Sequence, residues 1–163
     1  MDADWNPLPD NAPAEQVAQA IYEIHIRPGI LYQPHPCFAR DDSGDFRYHA
    51  LKPDDTKGIY EIRDFPEMGT RELIAADYVY QMKRLADARL SCPILSTLEN
   101  YILGMGEYAD EMQKALEAER EKRRAAAGAT YNQAVNERKN PIALDLDAFP
   151  FPGAEVVDRY TYR

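Results

Sequence analysis

The chain is poor in the residues that advertise chemistry. Its 163 residues include two cysteines, three histidines and one tryptophan. Two cysteines cannot build the dense disulfide framework of a small secreted scaffold. Cys37 and Cys92 therefore read as unpaired buried thiols, although a single disulfide stays open to them in an oxidising compartment. Positive charge is also scarce, with 19 Lys and Arg against 28 Asp and Glu and a formal net charge of -9. Gripping a phosphate backbone needs a concentrated positive field, so nucleic acid is excluded as a partner. The one basic cluster, Lys122, Arg123 and Arg124, follows Glu117, Glu119 and Glu121 and reads as a solvated helix face. No apolar run approaches the roughly 20 residues of a membrane span, and the first residues lack the basic start and hydrophobic core of a signal peptide. Membrane insertion is not expected, and the chain as written would stay where it is made.

No G-x-S-x-G elbow, phosphate loop or metalloprotease spacing occurs, and no catalytic residue is assigned. The chain does not read as an enzyme, and no cofactor is called for. Asp41 with Asp42, and Asp54 with Asp55, are adjacent acids suited to starting turns rather than to converging in a cleft with separated pKa values. His25, His35 and His49 read as surface or hydrogen-bonded side chains. The one metal-binding alternative, His35 and His49 with Cys37, lacks the short ligand spacing of a structural or catalytic site. No metal is assigned.

What is present is a globular pattern with enough length for a real core, burying about two-thirds or more of the unfolded surface. Residues 1–13 are rich in Pro, Asp and Asn and read as a loose lead-in, with Trp5 the one residue able to pin it. Residues 18–27 alternate as a half-buried strand ended by Pro28 and Gly29, with Tyr22, Ile24 and Ile26 inward. Residues 33–69 carry several prolines and an Asp41-to-Gly44 turn, which predicts a hairpin-like excursion packed by Tyr32, Phe38, Phe46, Tyr48 and Leu51.

Residues 75–86 lack Gly and Pro. Tyr78, Val79, Met82, Leu85 and Ala86 recur there at the three-to-four spacing of one helical face, leaving Gln81, Lys83, Arg84 and Asp87 toward water. A second helix is predicted over 93–103 with Pro93 at its first position. A long third one spans 107–127, with Tyr108, Met112, Leu116 and Met105 buried. Past Leu116 the apolar stripe fades, and residues 130–139 are expected to fold back as a helical hairpin arm with small contacts from Ala126, Tyr131 and Val135. The last residues alternate as a final strand, Val156, Asp158, Tyr160 and Tyr162 on one face. Tyr22, Tyr78, Tyr160 and Tyr162 read as core packing. The whole is one α+β domain, a small antiparallel sheet covered by helices with a projecting arm. The chain stops within an alternating run, which suggests an excised or truncated piece.

The segment GTRELIAADYVYQMKRLAD, residues 69–87, resembles the G-T-x-[LV]-T-A-x-D-[FVY]-V-Y-x-x-[KQ]-R-L-A-D signature of the bacterial extracellular solute-binding proteins of family five, the oligopeptide and dipeptide receptors of ABC importers, in register from Leu73 to Asp87 and with Gly69-Thr70 one residue further upstream. Residues 20–30 and 153–162 are similar to two strands of that family, and Ser91-Cys92-Pro93 stands where it has Ser-x-Pro. Ile74 departs from the usual Thr N-cap, at a local cost of roughly 1 kcal/mol unless another group serves the helix amides.

The resemblance covers residues 18–163 unevenly, with insertions near 33–67 and 107–140. It implies a subdomain of the first lobe of a two-lobed periplasmic-binding-protein type II fold. The parent would be periplasmic, would close its lobes over a peptide-like ligand and would dock on an ABC permease. Ile94, just after the Ser-x-Pro, is the one position for which the resemblance implies ligand contact, at the edge of the peptide cleft. The isolated chain is expected to be a monomer and scaffold. The alternative is a protein–protein interaction module, acting or dimerising through the helical arm or through strand edges exposed by truncation.

Overall fold

A computed structural model describes residues 1–163, the side chain of residue 53 excepted. Among the described residues the fold is α+β, with four α-helices and a three-stranded antiparallel sheet of strand order β1-β3-β2. The strands are β1 (Ile24–His25), β2 (Val156–Asp158) and β3 (Thr161–Tyr162). The helices are α1 (Ala75–Leu85), α2 (Leu95–Tyr101), α3 (Met105–Ala127) and α4 (Gln133–Lys139). The chain forms two compact units, one of Met1–His25 with Ala75–Arg163 and one of Ile26–Ile74.

In the first unit β3 is central, pairing Tyr162 with Ile24 and Thr161 with His25 on one side, and with Val156 and Asp158 on the other. The C-terminal run is thus a tight hairpin and not the single strand its alternation suggests. The Asp158 carboxylate accepts the Tyr160 N–H at 2.7 Å, which turns the chain after three residues. That hydrogen bond, with those of Thr161, holds the Asp158 carboxyl below its ordinary pKa. The turn also supplies the missing cap of α1, because the Ala75 N–H donates to the Arg159 carbonyl at 2.9 Å. A backbone oxygen thereby serves one of the first helix amides, which have no partner within the helix.

Helix α1 forms where its periodicity places it. Ala75 and Val79 are buried, as is Ala86 just beyond its end, with Met82 and Leu85 half-buried. Tyr78 keeps 40% exposure, yet its ring stacks on Tyr162 at 5.2 Å with an interplanar angle of 13°. Lys83 does not point to water as its spacing suggests. Its stem is covered, and its ammonium pairs with Asp147 at 2.5 Å. Asp87 likewise turns inward to Arg89.

Strand β1 is two residues long, not ten. Only Thr161 and Tyr162 stand opposite it, so Tyr22 is left 73% exposed and does not join the core. Residues upstream bond instead to the chain start, where the Met1 amino group donates to the Gln19 carbonyl at 2.9 Å and the Ala18 N–H to Met1 at 3.1 Å. Met1, rather than the half-exposed Trp5, pins the lead-in.

The main buried cluster joins Ala86, Met105, Tyr108, Met112 and Leu146, with Leu95, Leu98, Ile102, Phe149 and Phe151 packed against it. Gly104 opens α3 at φ +70°, in the left-handed region, with Pro152 filling the space a Cβ would need. Met105, Tyr108, Met112 and Leu116 form the buried stripe of α3, and none of its later residues is buried. The following helix starts later than 130, because Asn132 caps it with Oδ1 on the Val135 N–H at 3.0 Å. Val135 is 49% exposed and gives the arm little apolar contact.

In the second unit, residues 30–35 run antiparallel to 69–73. The Leu73 N–H donates to Ile30, Tyr32 to Arg71, and His35 and Gly69 exchange both bonds at 2.8 and 3.1 Å. The Asp41 turn exists, with Asp41 Oδ1 accepting the N–H groups of Ser43 and Asp45 and Arg40 bridging Phe46. It does not add a strand to the three-stranded sheet. Tyr32 packs on Phe38 at 5.3 Å and Tyr48 on Phe65 at 4.9 Å, while Leu51 and Phe46 remain partly exposed.

Candidate functional site

Ile94 is the N-cap position of α2, and its side chain is 53% exposed. The sequence places Pro93 as the first helical residue, but the helix begins at Leu95. Ser91 adopts φ +50°, and the Leu95 N–H reaches back to the Cys92 carbonyl, so Pro93 and Ile94 lie in a turn ahead of the helix. Helical spacing then divides α2. Leu95, Leu98 and Ile102 pack on the main cluster, whereas Ile94, Thr97 and Tyr101 lie outward, with Tyr101 at 84% exposure. Tyr101 was missed from the sequence as a candidate contact, although its seven-residue distance from Ile94 is the signal that could have found it.

The turn before α2 is fixed by charge. Arg89 grips Asp87 through Nε at 2.8 Å and Nη2 at 2.6 Å, and its Nη1 donates to the Ile142 carbonyl at 2.5 Å. The Asp87 backbone cap, its carboxylate accepting the Arg89 N–H at 3.0 Å, completes the turn. The hydrogen bond from Arg89 holds the Asp87 carboxyl below its ordinary pKa, and Asp87 in turn raises that of Arg89. Ile94 stands at the start of α2 and Tyr101 at its end, both exposed, offering an aliphatic and a phenolic surface on the outward side of that helix. This arrangement can make apolar and aromatic contact with a ligand. It contains no nucleophile–base pair.

The histidines are engaged elsewhere. His25 Nδ1 lies 3.1 Å from Thr161 Oγ1 and its Nε2 3.2 Å from Glu23. His35 Nδ1 accepts the Cys37 N–H at 3.1 Å, His49 Nε2 sits 3.2 Å from the Cys37 carbonyl oxygen, and the His49 ring stacks on Phe46 at 4.1 Å. His35, Cys37 and His49 are thus neighbours through backbone groups and do not converge on a common point. Among the described residues, no group of three His, Cys, Asp or Glu side chains is placed to hold a metal ion. Cys37 and Cys92 are free and half-buried. Of the described residues, no helix is long and apolar enough to cross a membrane.

The Lys122–Arg124 cluster is neutralised along its own helix, Arg123 pairing with Glu119 at 2.9 Å, Lys122 with Glu119 at 3.6 Å, and Arg124 with Glu121. Comparison with known proteins finds no matching family model, no matching curated protein and no matching solved structure.

Proposed function

We propose that this chain is a first-lobe subdomain of the substrate-binding component of an ABC importer for peptide-like solutes. In this reading the parent is a periplasmic protein of family five with a two-lobed fold. The chain supplies scaffold, and α2 with Ile94 supplies one edge of the ligand cleft. What supports the reading is the 69–87 segment, whose signature-like residues form a helix seated on the C-terminal hairpin, with Val79 buried and Tyr78 stacked on Tyr162. Lobe closure over an extended ligand, followed by docking on a permease, would be the parent's mechanism. The chain itself takes no chemical step.

Calorimetry with a mixture of short peptides tests it. The full-length product of the coding sequence is expected to bind, and an Ile94→Glu variant to bind more weakly, because a carboxylate there would be desolvated by an apolar ligand. The isolated chain is expected to bind weakly or not at all, since affinity in such sites requires burying most of the ligand. No peptide binding by the full-length product would overturn the proposal, and micromolar binding by the chain alone would overturn the scaffold role.

A second reading, an interaction module, is favoured by the sheet margins. The outer strands β1 and β2 expose Ile24, Val156 and Val157 at 42%, 45% and 48%. Light scattering separates the two, a stable dimer supporting the module and a monomer the scaffold.

A further inference from the structure

The returning arm presents a mechanical oddity. Helix α4 has seven residues, none of them buried. A helix of that length is not stable alone in water, so contacts elsewhere must hold it. Apolar burial does not, because Val135 is 49% exposed and α3 buries nothing beyond Leu116.

What reaches across is charge. Arg120 of α3 forks onto Glu137 of α4 through Nε at 2.8 Å and Nη2 at 3.2 Å, while its Nη1 holds Glu117 of α3 at 2.7 Å. One turn on, Arg123 Nη1 donates to Asn136 Oδ1 at 3.1 Å and to the Asn140 carbonyl at 2.5 Å, its Nε being held by Glu119. Arg124 lies over the Tyr131 ring at 5.9 Å. The Arg120 and Glu137 side chains keep 16% and 22% exposure, so the fork is in contact with solvent and its ions. Beyond the arm the chain is anchored again at Ile142, which is buried and whose carbonyl takes Arg89.

We propose that residues 128–140 are an electrostatic strap, closed on α3 by Arg120 and Arg123 and opened by ionic strength while the core below Leu116 stays folded. The geometry favours this because the guanidinium groups are pre-set on α3 by Glu117 and Glu119, so opening costs only the contacts to α4. A strap fastened by packing would not loosen in sodium chloride; this one does, since screening shortens the reach of charge from about 30 Å at 0.01 M to about 3 Å at 1 M.

Hydrogen exchange of the full chain, read by mass spectrometry, tests it. Amides of 133–140 are expected to exchange about five-fold faster in roughly 1 M than in roughly 0.01 M sodium chloride, with those of 105–116 unchanged. Glu137→Gln is expected to exchange fast at both salts. The double variant Arg120→Met with Glu137→Leu, which replaces the fork by an apolar pair, is expected to be slow at both. Equal wild-type rates at the two salts, a Glu137→Gln variant that keeps the wild-type response, or parallel loosening of 105–116 would each overturn the strap.

Discussion

Replacing Tyr108 by Phe removes one oxygen from the centre of the fold. Tyr108 is 1% exposed, its ring packs on Phe151 at 5.1 Å and Phe149 at 6.1 Å, and its hydroxyl donates to the Leu146 carbonyl at 2.7 Å. The substitution keeps the ring contacts and leaves a carbonyl unpaired, which is expected to cost about 1–3 kcal/mol near neutral pH. The same phenol makes the cost depend on pH. Burial, and after it the negative charge of Asp147, pushes the Tyr108 pKa up to about 12. The unfolded phenol loses its proton near 10, so the stabilisation is fully present below about pH 10 and is lost as pH rises through about 12. At pH 11 the wild-type should already have lost about 1.4 kcal/mol through this group, with a limit near 3 kcal/mol for the two-unit shift. The variant cannot lose it. Urea unfolding followed by circular dichroism, at pH 8 and then in steps to pH 11, should show the gap between the two proteins narrowing by that amount. A gap that stays constant, or a variant within about 0.5 kcal/mol of wild type at pH 8, would refute the assignment of this hydroxyl as a buried structural donor.

Met112→Ala, at a 2% exposed position of the main cluster, should destabilise the first unit by about 2–5 kcal/mol in the same urea assay. Gly69→Ala should open the paired stem of the second unit, because the added Cβ would stand 2.1 Å from the Phe38 carbonyl oxygen; faster hydrogen exchange at the Tyr32, His35 and Leu73 amides would report it. Tyr162→Leu should keep the burial but lose the stack on Tyr78, costing about 0.5–1.5 kcal/mol beyond the area change, measured against Tyr78→Leu in a double-mutant cycle.

Periodicity over long, unbroken stretches was readable. The buried stripe of α3 and the existence of α1 follow from apolar spacing that no other element contests. Short alternating segments were not. Residues 18–27 and 156–162 alternate equally well, yet pairing partners and one side-chain hydrogen bond decide their fate, and neither is visible in a period. Asp158 turned a strand into a hairpin, and its carbonyl neighbour Arg159 capped the helix whose own cap residue is missing. The sequence predicts the arm as a hairpin fastened by small apolar residues, whereas the structure fastens it by charge. The long-range fork from Arg120 to Glu137 spans 17 positions and leaves no local pattern. At the candidate site, Ile94 came only from the resemblance, and Tyr101 required knowing where α2 begins.

The two-ply stalk formed by residues 30–35 and 69–73 brings the chain out of the second unit beside the place where it went in. Whatever lies between them can grow or shrink while the two exits keep their separation, and doubling its length adds only about 0.6 kcal/mol of closure entropy. The stretch beyond the stalk is accordingly the natural place for this chain to gain or shed residues, with His35 and Gly69 as the clasp any replacement must preserve.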